Sequence, residues 1–141
     1  MVRILFLCVG NSCRSQMAEG WTRHLRGGDM EPYSAGTESH GIDPFAVSVM
    51  AEAGVDISGQ RSKSLDEVRT VGFDWVVTLC DSARETCPVF PGNVKRTHVA
   101  FDDPPRLAGD TENEEEKLRH YRRVRDEIRS FVESLPALDQ E

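Results

Sequence analysis

An α/β fold with a parallel sheet and helices on both faces is predicted by three features of this sequence. Residues 2–8, Val-Arg-Ile-Leu-Phe-Leu-Cys, form a near-continuous apolar run of the kind buried on both faces of a parallel sheet. Phe73 to Cys80, containing Trp75-Val76-Val77-Thr78-Leu79, is a second such run. Helical periodicities alternate with the strands, which implies βαβ units. Four strands and about five helices fit 141 residues, a common size for one domain, so residues 1–141 are expected to form a single domain.

The elements follow in order. Gly10-Asn11-Ser12 breaks the first strand, and Ser15 opens a helix to about Arg26 with Met17, Ala18, Trp21 and Leu25 at helical spacing. Gly27-Gly28-Asp29 ends it. Tyr33 to Gly36 reads as a short strand or loop. Asp43-Pro44 is an N-cap followed by proline at the first helical position. Phe45, Val49 and Met50 line that helix, which stops at Gly54. Ser64 to Val71 suits a short helix, and Val94 to Phe101 a weaker strand. From Glu114 to Leu135 runs a long helix whose apolar stripe is Leu118, Tyr121, Val124, Ile128, Phe131 and Val132. The acidic residues at its start suit the helix dipole.

Lys and Arg total 17 against 24 Asp and Glu, a net charge of -7. That argues against nucleic acid or an anionic membrane as partner, since both require a basic face. No apolar run is long enough to span a bilayer, and the start leaves no room for a signal peptide. The expected location is the cytoplasm. Thiols stay reduced there, which makes catalytic or redox roles more natural for the four cysteines than structural disulfides.

The most informative stretch is Cys8-Val9-Gly10-Asn11-Ser12-Cys13-Arg14-Ser15, a cysteine at a strand end, five residues, then an arginine opening a helix. Ligands of open α/β sheets bind beyond the carboxyl ends of the strands. Backbone N–H groups of such a loop, with the helix N-terminus, make an anion cradle. Gly10 and Asn11 tolerate the positive φ it needs. Arg14 offers a planar fork to two oxygens of a tetrahedral oxyanion. The same dipoles and charge favour thiolate at Cys8, a nucleophile beneath the bound anion. The bland alternative is a buried cysteine followed by an ordinary turn.

Residues 8–20, Cys-Val-Gly-Asn-Ser-Cys-Arg-Ser-Gln-Met-Ala-Glu-Gly, resemble the phosphate-loop signature of the low-molecular-weight tyrosine phosphatase fold. Within that fold they are most similar to the thioredoxin-coupled arsenate reductases. The resemblance continues through Tyr33-Ser34-Ala35-Gly36, Val76-Val77-Thr78-Leu79-Cys80, Cys87-Pro88, Phe101-Asp102-Asp103-Pro104 and Arg123 to Ile128, nearly the whole chain in order. It implies a four-stranded parallel sheet in the order 2-1-3-4. It also implies Cys8 as nucleophile, residues 9–15 (Val9, Gly10, Asn11, Ser12, Cys13, Arg14, Ser15) as the oxyanion-binding loop, and Asp103 as the general acid before Pro104. An Asp-Pro turn without chemistry is the alternative for Asp102 and Asp103.

Cys80 and Cys87 admit three readings: inert buried thiols, a metal pair or a redox pair. Neither Cys8-x4-Cys13 nor Cys80-x6-Cys87 has ordinary zinc spacing, and no histidine is near in sequence. In the reductases that this chain resembles, matching cysteines carry oxidising equivalents outward as Cys8–Cys80 and then Cys80–Cys87 disulfides. In a helical 80–87 segment the two Cα atoms would lie roughly 10 Å apart. A disulfide tolerates about 7 Å, so oxidation requires that segment to unwind. Cys13 is given only a packing role, and His24, His40, His98 and His120 are read as structural or solvated. One departure stands out. Many of these reductases carry a carboxylate where this chain has Lys63, and bind a monovalent cation there with residues matching Asn11, Glu19 and Ser34. The Lys63 ammonium is expected to stand in for that cation, beside Glu19.

The function the resemblance implies is reduction of arsenate to arsenite, with phosphate or sulfate as mimics, thioredoxin as partner, no metal or organic cofactor, and a monomeric protein. The rivals are a low-molecular-weight protein tyrosine phosphatase and a non-catalytic oxyanion sensor. Such phosphatases commonly place aromatics beside the acid, whereas Pro105-Arg106 follows here.

Overall fold

The computed structural model describes residues 1–81, 83, 90 and 92–136. Strands β1 (Val2–Cys8), β2 (Met30–Gly36), β3 (Trp75–Thr78) and β4 (Lys95–His98) form one sheet in the order β2-β1-β3-β4. All three pairings are parallel. Among the described residues, helices α1 (Arg14–Arg26), α2 (Pro44–Glu52), α3 (Pro104–Ala108) and α4 (Glu114–Ser134) and a 3-10 turn at Leu65–Glu67 accompany the sheet. Cys87 and most of the expected 80–87 helix lie outside the described residues.

β1 is central because its apolar run has no polar face to present to water. Ile4, Leu5, Phe6 and Leu7 are all buried. β2 and β4 are the edges. Pro32 sits in edge strand β2, where its missing N–H is tolerated, and exposed Lys95 and Arg96 guard β4. β2 is longer than expected: its register runs from Val2↔Met30 to Cys8↔Gly36. β3 and β4 are shorter than the 73–80 and 94–101 runs; beyond their C-terminal ends Cys80, Ala100 and Phe101 line a cavity at the site. The Ser64–Val71 segment forms only the 3-10 turn.

α4 is the packing partner of α1, α2 and α3. Tyr121, Val124, Ile128 and Val132 of its predicted stripe are buried. Asn113 caps it through Glu116 N–H, and Arg26 of α1 donates to the carbonyls of Val132 and Leu135 at its far end. Trp21 Nε1 donates to Arg125 O, locking α1 against the same helix. Helix α3 was not expected. Asp103 stands at its N-cap and Pro104 at its first position, the same signal that Asp43-Pro44 gives for α2. Among the described residues no helix is long and apolar enough to cross a membrane.

Candidate active site

The loop between β1 and α1 is shaped from behind by residues 36–43. Thr37, Glu38, His40 and Asp43 donate their backbone N–H groups to the carbonyls of Cys8, Val9, Gly10 and Ser12. Asn11 O is taken by the Gln16 amide. A trans peptide points its C=O and N–H in opposite directions. With the carbonyls turned outward, the N–H groups of residues 9–13 face inward as a cradle. The approach is close: a Cβ on Gly36 would lie 2.4 Å from Val9 O and 2.7 Å from Asn11 N, which requires glycine there. Asn11 has φ 48°, the left-handed conformation its short amide side chain accepts.

A hydrogen-bond chain leads through this loop to the cysteine. Lys63 N–H, which can only donate, meets Asn11 Oδ1 at 2.8 Å, and this fixes the orientation of the amide. Asn11 Nδ2 therefore donates to Ser15 Oγ at 2.8 Å. Ser15 Oγ in turn lies 2.9 Å from Cys8 Sγ, within reach to donate its hydroxyl proton to a thiolate there. Cys13 is held as a thiol: burial first, then Asp43 and Cys8, push its pKa well above the usual value.

Arg14 is presented at the opening of α1. Its Nη1 donates to Phe101 O at 3.0 Å, and Nη2 lies 3.7 Å from Asp103 Oδ1. Its Nε is buried with no hydrogen-bond partner. Nε and Nη2 share one edge of the guanidinium, the edge that binds an oxyanion bidentately. A buried unpaired donor is costly, and here the cost falls at the place where an anion would cancel it.

A cavity of about 280 Å³ is lined by Cys8, Gly10, Ser12, Cys13, Arg14, His40 and Asp103, among others, with no Phe, Tyr or Trp. A second, of about 380 Å³, shares Arg14 and Asp103 and reaches Cys80. The two neighbouring aspartates part company. Asp102 pairs with Arg123 at 2.9 Å and lines only the second cavity, whereas Asp103 lines both. Cys8, Cys13 and Cys80 are buried free thiols. Cys87 lies outside the described residues.

Beneath the loop, Lys63 Nζ lies 3.6 Å from Glu19 Oε1, as expected. Glu19 also accepts from Ser34 Oγ at 2.6 Å and from Arg23 Nη2 at 2.8 Å. His40, read from sequence as structural or solvated, is exposed and also lines the cavity, its backbone tied to Gly10. Gln16 and the Asp43–Tyr121 pair were also missed. Asp43 caps α2, binds Ser12 O through its N–H and accepts from the Tyr121 hydroxyl, so α2 and α4 both brace the loop. Among the described residues no cluster of three or more His, Cys, Asp or Glu could hold a metal ion.

A parallel 2-1-3-4 sheet with an anion cradle and a cysteine at the end of its central strand defines a phosphatase-like oxyanion site. The chain belongs to the low molecular weight phosphotyrosine protein phosphatase family, whose family model matches residues 3–140. Among curated relatives it is similar to the arsenate reductase of Bacillus subtilis (strain 168), 53% identical over 125 residues that cover 89% of this chain and 88% of the relative. A solved arsenate reductase in the phosphate binding state superposes with a TM-score of 0.75 at 32% identity, covering 94% of this chain and 95% of the other. The Corynebacterium glutamicum thioredoxin-dependent arsenate reductase gives 0.66 at 28% identity, over 95% of this chain and 61% of that one.

Proposed function

We propose that this protein reduces arsenate to arsenite, with Cys8 as nucleophile and thioredoxin as final reductant. The observation that carries this reading is a pair of neighbouring cavities that share Arg14 and Asp103. One holds Cys8 under the cradle; the other opens from the shared Arg14 and Asp103 toward a second buried thiol, Cys80. Hydrolysis of a phosphate ester has no use for that second thiol. A similar protein of known structure is described as thioredoxin-dependent, which supports the choice of reductant.

The steps follow from the residues. The cradle N–H groups and the Arg14 fork hold three oxygens of the oxyanion and neutralise its charge. Cys8 thiolate attacks arsenic, while Asp103 delivers a proton to the departing oxygen, which leaves as water. Cys80 thiolate then attacks Cys8 sulfur. The S–S bond forms, the S–As bond breaks, and its electron pair stays on arsenic, which leaves as arsenite. Cys87 thiolate attacks Cys80, freeing Cys8 and leaving a Cys80–Cys87 disulfide. A thioredoxin dithiol reduces it by exchange. We place the protein in the cytoplasm as a monomer that acts as one domain over residues 1–141, with no metal or organic cofactor.

Phosphatase activity is the second reading, favoured by a cradle that fits phosphate as well as arsenate. Arsenate turnover with thioredoxin, thioredoxin reductase and NADPH, measured beside turnover of an aryl phosphate, decides between them. Aryl phosphate hydrolysis without arsenate reduction would overturn the proposal.

A further inference from the structure

His40 occupies a position that the mechanism above leaves unused. Its backbone N–H is bound to Gly10 O at 3.0 Å. Its ring lies against the loop itself: a Cβ on Gly10 would stand 2.5 Å from Nδ1 and 3.0 Å from Cγ. Glycine at position 10 therefore makes room for the imidazole. The ring also lines the cavity that contains Cys8, Arg14 and Asp103.

The tautomer follows from its partner. Nε2 meets Glu38 Oε2 at 2.5 Å, and a carboxylate only accepts, so Nε2 carries the hydrogen. Glu38 is itself tied to the loop through its N–H to Val9 O. In the neutral ring, Nδ1 is then left as an acceptor beside the cradle. The backbone N–H groups of the loop and the Arg14 guanidinium only donate, and among the described lining residues the side chains with an acceptor nitrogen or oxygen are Ser12, Asp103 (the proton donor of the proposed mechanism) and His40. The donors suit the unprotonated oxygens of a tetrahedral anion but cannot receive a proton from a hydroxyl. A dianionic arsenate or phosphate keeps one hydroxyl. An aryl ester has its organic group in that place.

We propose that His40 is a specificity-determining residue: its Nδ1 accepts the hydroxyl proton of a free inorganic oxyanion, favouring it over monoesters. The proposal rests on the oxyanion-reduction reading and names how that site rejects the family's other substrate class. Asp103 delivers its proton to the departing oxygen, and His40 receives the hydrogen bond that the same oxygen donates. Glu38 sets the tautomer.

The test needs no turnover. Calorimetry on the reduced protein compares inorganic phosphate with phenylphosphonate, an anion that carries an organic group and resists hydrolysis. His40→Ala should weaken phosphate binding by about tenfold, the loss of one good hydrogen bond, and lower the phosphate-to-phenylphosphonate affinity ratio by the same factor. Glu38→Gln should move that ratio in the same direction by less, and His40→Asn, which keeps a carbonyl acceptor, should restore part of it. An equal fall for both ligands would reduce His40 to a prop for the loop and overturn the proposal. An unchanged ratio in every variant would overturn it as well. Failure of the wild-type protein to reduce arsenate would sink the reductase reading alone, because the affinity ratio is read without chemistry.

Discussion

The Lys63 ammonium lies 3.6 Å from the Glu19 carboxylate, and both side chains are largely buried beneath the oxyanion loop. The Lys63 backbone N–H also starts the hydrogen-bond chain that reaches Cys8 through Asn11 and Ser15. Burial pulls the lysine pKa below its usual value, with Glu19 opposing that pull. A fixed cation already neutralises Glu19, so a soluble one has little to add. Arsenate turnover should be the same in potassium and sodium salts at equal ionic strength. Clear stimulation by potassium would contradict this. Lys63→Met should cost about 2 kcal/mol of stability, since a buried carboxylate loses a charged partner but keeps Ser34 and Arg23. Urea denaturation measures that loss.

The polarity of the chain to sulfur makes Ser15 separable from Cys8. Cys8→Ser should abolish arsenate reduction and any aryl phosphate hydrolysis together. Arg14→Lys should fail as well, because a point charge cannot replace a two-pronged edge. Ser15→Ala removes the hydroxyl beside Sγ and with it the acceptor of the Asn11 amide. Its turnover should fall by about one to two orders of magnitude, the worth of a hydrogen bond to a charged acceptor. Alkylation of Cys8 by iodoacetamide at a fixed pH should slow in the same variant. An unchanged alkylation rate would remove Ser15 from the activation of sulfur.

Local signals made the central strand and the long helices readable in advance. The 2–8 run has no polar face, and the α4 stripe has a single period from Leu118 to Val132. Non-local pairing hid other parts. Glu31 and Pro32 argue against a strand, and they join β2 only because β1 offers a complete ladder beside them. The Asp103-Pro104 signal for α3 was present, but five residues carry no periodicity to confirm it. The Cys8–Ser15 loop was legible because its residue types are rare in combination. His40 was not, since its place depends on backbone bonds to a loop some thirty positions away. The Asp43–Tyr121 brace spans 78 positions and left no local trace.

Cys13 supplies a pH signature. Its folded pKa is raised, chiefly by burial and then by Asp43 and Cys8. The folded protein thus holds a proton that the unfolded thiol has begun to lose near pH ~9. The stability from the buried thiol is complete below that pH and is lost as pH climbs toward the raised folded value. Wild-type stability in urea should therefore fall between about pH 8 and 10 more steeply than that of Cys13→Ala. Parallel slopes would show that Cys13 ionises as easily folded as unfolded. Cys13→Ala should keep arsenate turnover, because a thiol held protonated is no nucleophile.

Asp102 and Asp103 are adjacent in sequence but face different surroundings. Asp103 lines both cavities beside Arg14, whereas Asp102 lines only the second and is paired with Arg123. Asp103→Asn should lower arsenate turnover by about two to four orders of magnitude, the usual worth of a positioned general acid. Asp102→Asn loses an exposed ion pair worth less than about 1 kcal/mol and should leave turnover within twofold. Similar losses in both variants would mean that the segment matters as a turn and not for its acid.

The relay predicts different dead ends for its two outer cysteines. Cys80 lines the cavity that shares Arg14 and Asp103 with the Cys8 site, whereas Cys87 lies outside the described residues. In Cys80→Ser no thiol follows Cys8, so arsenate should bind and protect Cys8 from alkylation without release of arsenite. In Cys87→Ser the first transfer still occurs. One equivalent of arsenite per protein should appear in a burst, after which turnover stops as a Cys8–Cys80 disulfide. Thiol counting distinguishes the states. The chain has four cysteines, so the stalled variant retains Cys13 alone, and oxidised wild type retains Cys8 and Cys13. Thioredoxin should restart wild type and leave the stalled variant slow, because a disulfide that includes buried Cys8 offers it little exposed sulfur. Peptide mapping by mass spectrometry reads which pair has formed. Steady turnover by Cys87→Ser at the wild-type rate would show that the second disulfide is not part of the cycle.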